Sequence, residues 1–237
     1  MPSVVNHLIE SLPRKDRSQL MNACQPVELK LAEVLYERSK PTSHVYFPTV
    51  GFISLVATIN GSPGVEVGMV GREGMLGAHV ALGVLTAPLH AVVQGAGTAL
   101  RLSARTFQIE LQRSTALQRV LNRYFYVLMS QLADSAACLR FHQIGPRLAR
   151  WLLMSQDRAQ ADTFHVTQEF LAYMLGVRRV GITAAAGDLQ RSGLIGYSRG
   201  ELTVIDRSGL EAAACSCYGT EQKVYVEMLG EPSGNRM

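Results

Sequence analysis

From Leu100 to Ile144 the sequence contains neither proline nor glycine, which allows one helix of about eight turns. Within this run, mostly apolar residues recur at alternating spacings of four and three. They are Leu117, Leu121, Tyr124 and Leu128, and the register continues through Gln131, Ser135 and Cys138. Such a heptad pattern favours a seam for a partner helix, with packing inside the chain's own domain as the alternative. We therefore expect a dimerisation helix over 113–140, with the first five of these residues at the interface.

The segment before this run has the pattern of short strands. Between 27 and 105, apolar residues often alternate with other residues, and Lys40-Pro41, Asn60 to Gly64 and Gly71 supply turn signals. Many short strands at close spacing predict a sandwich or barrel rather than a parallel sheet with crossover helices.

Composition excludes several classes of protein. The chain is 47% hydrophobic and 18% charged, which is typical of globular proteins, and its net charge of +4 permits an anionic partner without requiring one. Four scattered cysteines are too few for a disulfide framework and favour a reducing cytoplasm. No stretch reaches the ~18 apolar residues of a membrane span, so no membrane partner is expected. Without a phosphate-binding glycine loop carrying lysine, an HExxH motif or a nucleophile elbow, we do not expect an enzyme.

Residues 167–205 carry the most informative pattern. Thr167 suits a helix N-cap, Gly176 a turn, and a second helix follows with Arg178, Arg179 and Thr183 on its outward face. Two short strands around Arg199 come next. Helix, turn, helix and hairpin within about 40 residues predict a winged helix-turn-helix, whose second helix enters the major groove of DNA. Gly145-Pro146 is expected to separate this part from the long helix, and 208–229 to form a C-terminal helix.

In this order of elements the chain resembles the Crp/Fnr family of bacterial transcription regulators. The specific stretches are Thr167-Gln-Glu-Phe-Leu-Ala, Leu175-Gly-Val-Arg-Arg, Leu189-Gln-Arg-Ser-Gly-Leu-Ile and Leu202-Thr-Val-Ile-Asp-Arg. The resemblance implies an α+β fold: an N-terminal β-roll of the double-stranded β-helix type, like a cyclic-nucleotide-binding domain, over 1–112, a dimerisation helix over 113–140, and a winged helix-turn-helix over 141–237. It also implies double-stranded DNA, a second copy of the chain and RNA polymerase as partners, and a palindromic DNA site.

The predicted recognition helix departs from the family pattern of Arg, Glu and a second Arg. Arg179 matches the first arginine, whereas Val180 and Ala184 replace the other two and offer only apolar contacts to bases. Arg179 is the residue expected to read a guanine. Arg178, Thr183 and Arg199 are expected to contact phosphate, as are Thr167 and Gln168 at the start of the first helix.

The predicted sensor domain departs from the cyclic-nucleotide pattern of the family. Gly77 matches the ribose-binding glycine, but Ala78 replaces the glutamate and Pro88 or Leu89 falls at the phosphate-binding arginine, with His90 beside it. An apolar residue cannot neutralise a buried phosphate. Three alternatives stay open: cyclic AMP or cyclic GMP, an unidentified small-molecule effector, or no ligand. A sensor whose helix-turn-helix acts through protein contacts is the alternative function.

The sequence gives little support for a metal or haem site. Cys24 stands alone near the N-terminus, which disfavours an iron–sulfur cluster of the Fnr type. His79 and Pro2 match positions that hold haem in carbon-monoxide-sensing members, but two residues make a weak pattern. Cys215 and Cys217 lack a neighbouring histidine or second cysteine pair in the sequence, so we expect them to be buried and predict no metal site.

Overall fold

The computed structural model of the chain describes residues 6–59 and 64–231, so Pro2 and most of the predicted turn at Asn60 lie outside the described residues. The described helices are α1 (His7–Glu10), α2 (Arg14–Ala23), α3 (Ala104–Arg113), α4 (Thr115–Phe141), α5 (Ile144–Ala159), α6 (Gln168–Leu175), α7 (Arg179–Arg191), α8 (Arg207–Ala213) and α9 (Cys217–Leu229), with a 3₁₀ helix at Ala78–Leu82. The described strands are β1 (Gln25–Leu29), β2 (Val34–Tyr36), β3 (His44–Ala57), β4 (Val65–Val70), β5 (His90–Ser103), β6 (Thr163–His165), β7 (Ile195–Ser198) and β8 (Glu201–Val204).

The N-terminal strands form one antiparallel sheet with the order β1-β5-β3-β4, and β2 also pairs with β5. Strands β3 and β5 run side by side, and their pairing shifts register at Val50 and Phe52. A long strand pair bends where it carries such irregularities. The sheet curls around a core that includes Val45, Phe47 and Ile53. The predicted α+β fold with an N-terminal β-roll is confirmed.

The proline-free and glycine-free run contains the expected long helix, which is α4, but is not helical throughout. Its first residues belong to β5, and Ser114 separates α3 from α4. The Ser114 hydroxyl accepts a hydrogen bond from the Leu117 backbone N–H at 3.0 Å, which caps the new helix. A capping serine can therefore end one helix and begin another without proline or glycine.

The predicted dimer seam is wrong for its first three residues. Leu117, Leu121 and Tyr124 are buried against the chain's own β-roll, in the core that also contains Phe107. Leu128 and Gln131 are partly buried. The neighbouring stripe of α4 is instead the open apolar face: Phe125 is half-buried, and Met129, Leu132, Ala136 and Leu139 are exposed.

Two predicted helix boundaries are also corrected. The long helix ends at Phe141, and Pro146 lies in the first turn of α5, where its missing N–H has no helical partner to lose. The predicted C-terminal helix breaks at Ala214 to Ser216 into α8 and α9. At the break, the Cys215 N–H donates to the Pro146 carbonyl oxygen at 3.2 Å.

Helix α5 joins the C-terminal half to the β-roll. One face carries Leu148 and Leu152 into the core under α6 and α7. Toward the β-roll, Arg158 forms a buried ion pair with Glu73, with Nε 2.8 Å from Oε1. Among the described residues, no helix has the length and apolar character needed to cross a membrane.

Candidate nucleic-acid interface

Local signals build the helix-turn-helix. The Thr167 hydroxyl accepts a hydrogen bond from the Phe170 N–H at 3.1 Å and caps α6. Gly176 ends α6 with a positive φ of 61°, which favours glycine. Helix α7 begins at Arg179, and its inward side chains Ile182 and Leu189 are buried as predicted.

The wing is a two-residue hairpin. Strands β7 and β8 pair antiparallel, and β6 adds to the free side of β8. Arg199 and Gly200 both have positive φ, 53° and 85°, as the tight turns that join twisted strands require. The Tyr197 hydroxyl donates to the Val166 carbonyl oxygen at 2.8 Å, which fixes the hairpin against the start of α6.

Five of the predicted DNA-binding residues line one groove. This groove has a volume of about 510 Å³ and lies between the start of α6, the outer face of α7 and the wing. The five residues are Thr167, Gln168, Arg179, Thr183 and Arg199. The fold therefore gathers side chains from three separate segments onto one surface.

A polar contact holds two of these residues in place. The Thr183 hydroxyl donates to Gln168 Oε1 at 2.7 Å and lies 3.1 Å from the carbonyl oxygen of Arg179. Burial raises the pKa of Tyr197, while the nearby guanidinium of Arg179 acts in the opposite direction. Arg179 and the wing are thus close enough to interact electrostatically.

The other three predicted residues lie apart from this groove. Ala184 is exposed on α7. Arg178 and Val180 line a second groove, of about 930 Å³, between the start of α7 and the β-roll residues Ile59 and Val65. Val180 is 74% exposed.

Sequence reasoning did not assign six further residues to the first groove: the polar Gln190, Tyr197 and Ser198, and the small Ala186, Gly187 and Gly200. Gln190 is exposed on α7 two helical turns after Thr183, so helical spacing alone could have identified it. Tyr197 and Ser198 belong to the wing, and only the pairing of β7 with β8 turns them toward α7.

The predicted sensor residues have structural roles. Gly77 has a φ of 96°, and a Cβ there would lie 2.5 Å from the Tyr36 hydroxyl oxygen, so glycine is required without any ligand. Ala78 is buried, and Leu89 and His90 are partly buried where β5 begins. His79 Nε2 is hydrogen-bonded to the Thr42 hydroxyl at 2.8 Å, and burial lowers the pKa of His79.

The structure also corrects the sequence-based view of Cys215 and Cys217. Both are buried, as expected, but Cys138 and His142 from the end of α4 lie beside them. The four residues offer metal-ligating atoms within 4.8 Å of one another. Sequence spacing did not indicate this grouping, because Cys138 and His142 lie more than 70 positions away from Cys215 and Cys217 along the chain.

Comparison with known proteins identifies the C-terminal domain and the overall fold. The model of the Crp-like helix-turn-helix domain matches residues 146–213. Among curated proteins, none matches the chain's sequence. A solved structure from Eubacterium rectale, described as a Crp/Fnr-family transcriptional regulator, has a TM-score of 0.68 at 15% identity and covers 87% of this chain and 96% of that one.

Two further solved structures have a similar overall fold. FixK2 from Bradyrhizobium japonicum has a TM-score of 0.65 at 12% identity, covering 81% of this chain and 98% of its own. The c-di-GMP-responsive global regulator CLP from Xanthomonas campestris has a TM-score of 0.64 at 14% identity, covering 81% and 99%. The chain thus carries a Crp-like helix-turn-helix domain within the overall fold of the Crp/Fnr transcription regulators.

Proposed function

We propose that the protein is a homodimeric transcription regulator that reads a two-fold symmetric DNA site through the groove between α6, α7 and the wing. The observation that carries this proposal is the convergence of Arg179, Thr183 and Arg199 on that groove. Arg179 is the first residue of α7 and is proposed to enter the major groove, because recognition helices contact bases with their N-terminal residues.

Base reading and backbone contact are divided among these side chains. Arg179 is the proposed guanine-reading residue, since a guanidinium can bond the O6 and N7 of guanine together. The wing Arg199 and the capped start of α6 are proposed to contact phosphates, which set the position of the protein on the duplex. Arg178 lines the neighbouring groove at the start of α7 and is proposed to contact phosphate there. Val180 and Ala184 would offer apolar contacts to thymine methyl groups.

A second copy of the chain is proposed to pack along the open face of α4. Phe125, Met129, Leu132, Ala136 and Leu139 follow spacings of four and three, which is the heptad pattern of paired helices. Because the seam predicted from the sequence is partly buried in the chain's own core, this neighbouring stripe takes its place. Two copies would then present two recognition helices to half-sites about one helical turn apart.

The proposed regulator does not take cyclic AMP or cyclic GMP as its effector. Ala78 and Leu89 stand where the family's cyclic-nucleotide binders have a glutamate and an arginine, and neither can pair with a phosphate or a ribose hydroxyl. Calorimetry with both nucleotides checks this directly.

Contact with RNA polymerase is part of the same proposal and would be measured as activation or repression of transcription in a purified system.

Selection of binding sites from random duplexes tests the main proposal. The full chain at moderate salt should enrich a palindrome whose half-sites lie about one helical turn apart. Affinity for that site should fall steeply as salt increases, because phosphate contacts release counterions. Failure to enrich any palindrome, together with a flat salt response, would reject DNA reading and favour a helix-turn-helix that acts through protein contacts.

A further inference from the structure

Three thiols and one imidazole meet where the long helix ends and the last helix begins. Cys138 lies in the final turn of α4, and His142 is the residue that ends it. Cys215 follows α8, and Cys217 opens α9. All four ligating atoms lie within 4.8 Å of one another.

The distances between these atoms match the edges of a small tetrahedron. Cys138 Sγ lies 3.6 Å from Cys215 Sγ, and Cys217 Sγ lies 3.6 Å from His142 Nδ1. Zinc bonds of about 2.3 Å to sulfur and about 2.1 Å to nitrogen put two sulfur ligands about 3.8 Å apart, and sulfur and nitrogen about 3.6 Å apart. We propose that Cys138, His142, Cys215 and Cys217 bind one Zn²⁺ ion in a tetrahedral Cys₃His site.

The fold positions each ligand before any ion arrives. Cys138 and His142 are four residues apart, one helical turn, so both face the same side of the end of α4. The backbone N–H of Cys215 is held by the carbonyl oxygen of Pro146, at 3.2 Å. Tight spacing within each pair, with the two pairs far apart in the chain, is typical of structural zinc sites.

Simple hydrophobic packing does not account for this cluster. The three cysteines form a small buried cluster of their own, without a larger apolar side chain among its buried members. All three are free thiols, and a disulfide would need its sulfurs about 2.05 Å apart. Buried thiolates become stable when a metal ion takes up their charge.

A positive side chain stands beside the site. Three thiolates and a neutral histidine around Zn²⁺ carry one net negative charge. The guanidinium of Arg150 acts electrostatically on Cys138 and Cys215, and its other side is paired with Glu221 of α9. Outer charges of this kind stabilise and orient metal ligands.

The ion would connect α4 to the winged domain, which follows α4 in the chain after a linker of two residues, His142 and Gln143. It would fix the end of α4 to the segment between α8 and α9, and so fix the winged domain relative to the proposed dimer helix. The site would fill regardless of whether the protein binds DNA, so its test is separate from the test of the proposed function.

Metal analysis of the full chain, purified under reducing conditions without added metal, tests the proposal. We expect about one zinc per chain in the wild type, the same in Cys24→Ser, and almost none in Cys138→Ser or Cys217→Ser. Cys24 is the matched control because it is a free cysteine of the β-roll, away from the cluster. A zinc chelator should lower the Tm of the wild type and of Cys24→Ser alike.

Cobalt substitution keeps the test decisive if the variants fail to fold. Co²⁺ added to chelator-treated wild type should give the visible absorption of tetrahedral thiolate coordination, and Zn²⁺ should displace it. The proposal would be overturned if purified wild type contained no zinc and the thiols of Cys138, Cys215 and Cys217 reacted freely with Ellman's reagent. Iron in place of zinc, a Cys138–Cys215 disulfide in the intact mass, or zinc retained by Cys138→Ser would also overturn it.

Discussion

The indole Nε1 of Trp151 donates a hydrogen bond to Glu66 Oε1, 2.9 Å away, and joins the first helix of the winged domain to strand β4 of the β-roll. The Ser54 hydroxyl donates to the other carboxylate oxygen of Glu66. Burial raises the pKa of Glu66 to about 7, against the opposing effect of these two hydrogen bonds. An ionisable group thus lies on the boundary between the β-roll and the winged domain.

Glu66 should make the protein less stable as the pH rises. Its pKa is about 7 in the folded chain, above the usual value of 4.5, so the folded state holds this proton more tightly than the unfolded state does. The contribution to the free energy of unfolding is complete below about pH 4.5, decreases as the pH rises toward 7, and is then lost, by about 3 kcal/mol in total. Denaturant unfolding at several pH values should show this slope in the wild type and its loss in Glu66→Gln.

Glu28→Gln is the matched control for this measurement. Glu28 lies on strand β1 of the same domain, but its side chain is exposed. The control should keep the slope of the wild type. An unchanged slope in Glu66→Gln would mean that another group governs the pH dependence in this range.

Replacing Arg179 should alter which sequences the protein prefers. Arg179→Ala should cost about 1–3 kcal/mol on the selected site and relax the preference at one base pair of each half-site. Arg199→Ala should instead weaken binding to all sequences and reduce the salt slope by about one. The control is Arg191→Ala, because Arg191 lies at the other end of α7 and pairs with Asp188. Binding-site selection and salt titration of the three variants separate these effects. If Arg179→Ala lost the same affinity for every sequence, Arg179 would be a phosphate contact.

The open stripe of α4 should control the oligomeric state. Met129→Asp combined with Leu132→Asp should turn the proposed dimer into a folded monomer, because the charges fall on the proposed interface and not in the core. Leu82→Asp is the control, since Leu82 is as exposed as Met129 but lies outside α4. Sedimentation and circular dichroism decide the outcome. A dimer that survives the double substitution would show that the copies meet elsewhere.

Sequence reasoning succeeded for the winged domain because its signals are local. A capping threonine at 167, a glycine in the left-handed region at 176 and the Arg199-Gly200 turn each fix the backbone within a few residues. Hydrophobic spacing then identified the inward residues of α7. Such features need no knowledge of distant parts of the chain.

The same reasoning failed where two distant segments meet. A heptad pattern at Leu117 and Leu121 describes an apolar face but cannot say whether the face meets a second copy or the chain's own β-roll. Cys138 and Cys215 are 77 positions apart, so no local pattern indicated that their sulfurs meet. The link from Trp151 to Glu66 was invisible for the same reason, since it spans 85 positions.

The ion pair between Arg158 and Glu73 should matter more for stability than any surface pair. Both side chains are buried, and Glu73 Oε1 also accepts the Gly71 N–H at 3.1 Å. Arg158→Met should lower the free energy of unfolding by about 3–5 kcal/mol, because it leaves a buried carboxylate without its cation. Adding Glu73→Gln should recover part of this loss, since the neutral amide removes the uncompensated charge. Denaturant unfolding of the single and double variants measures this coupling, and strictly additive losses would show that the two side chains contribute independently.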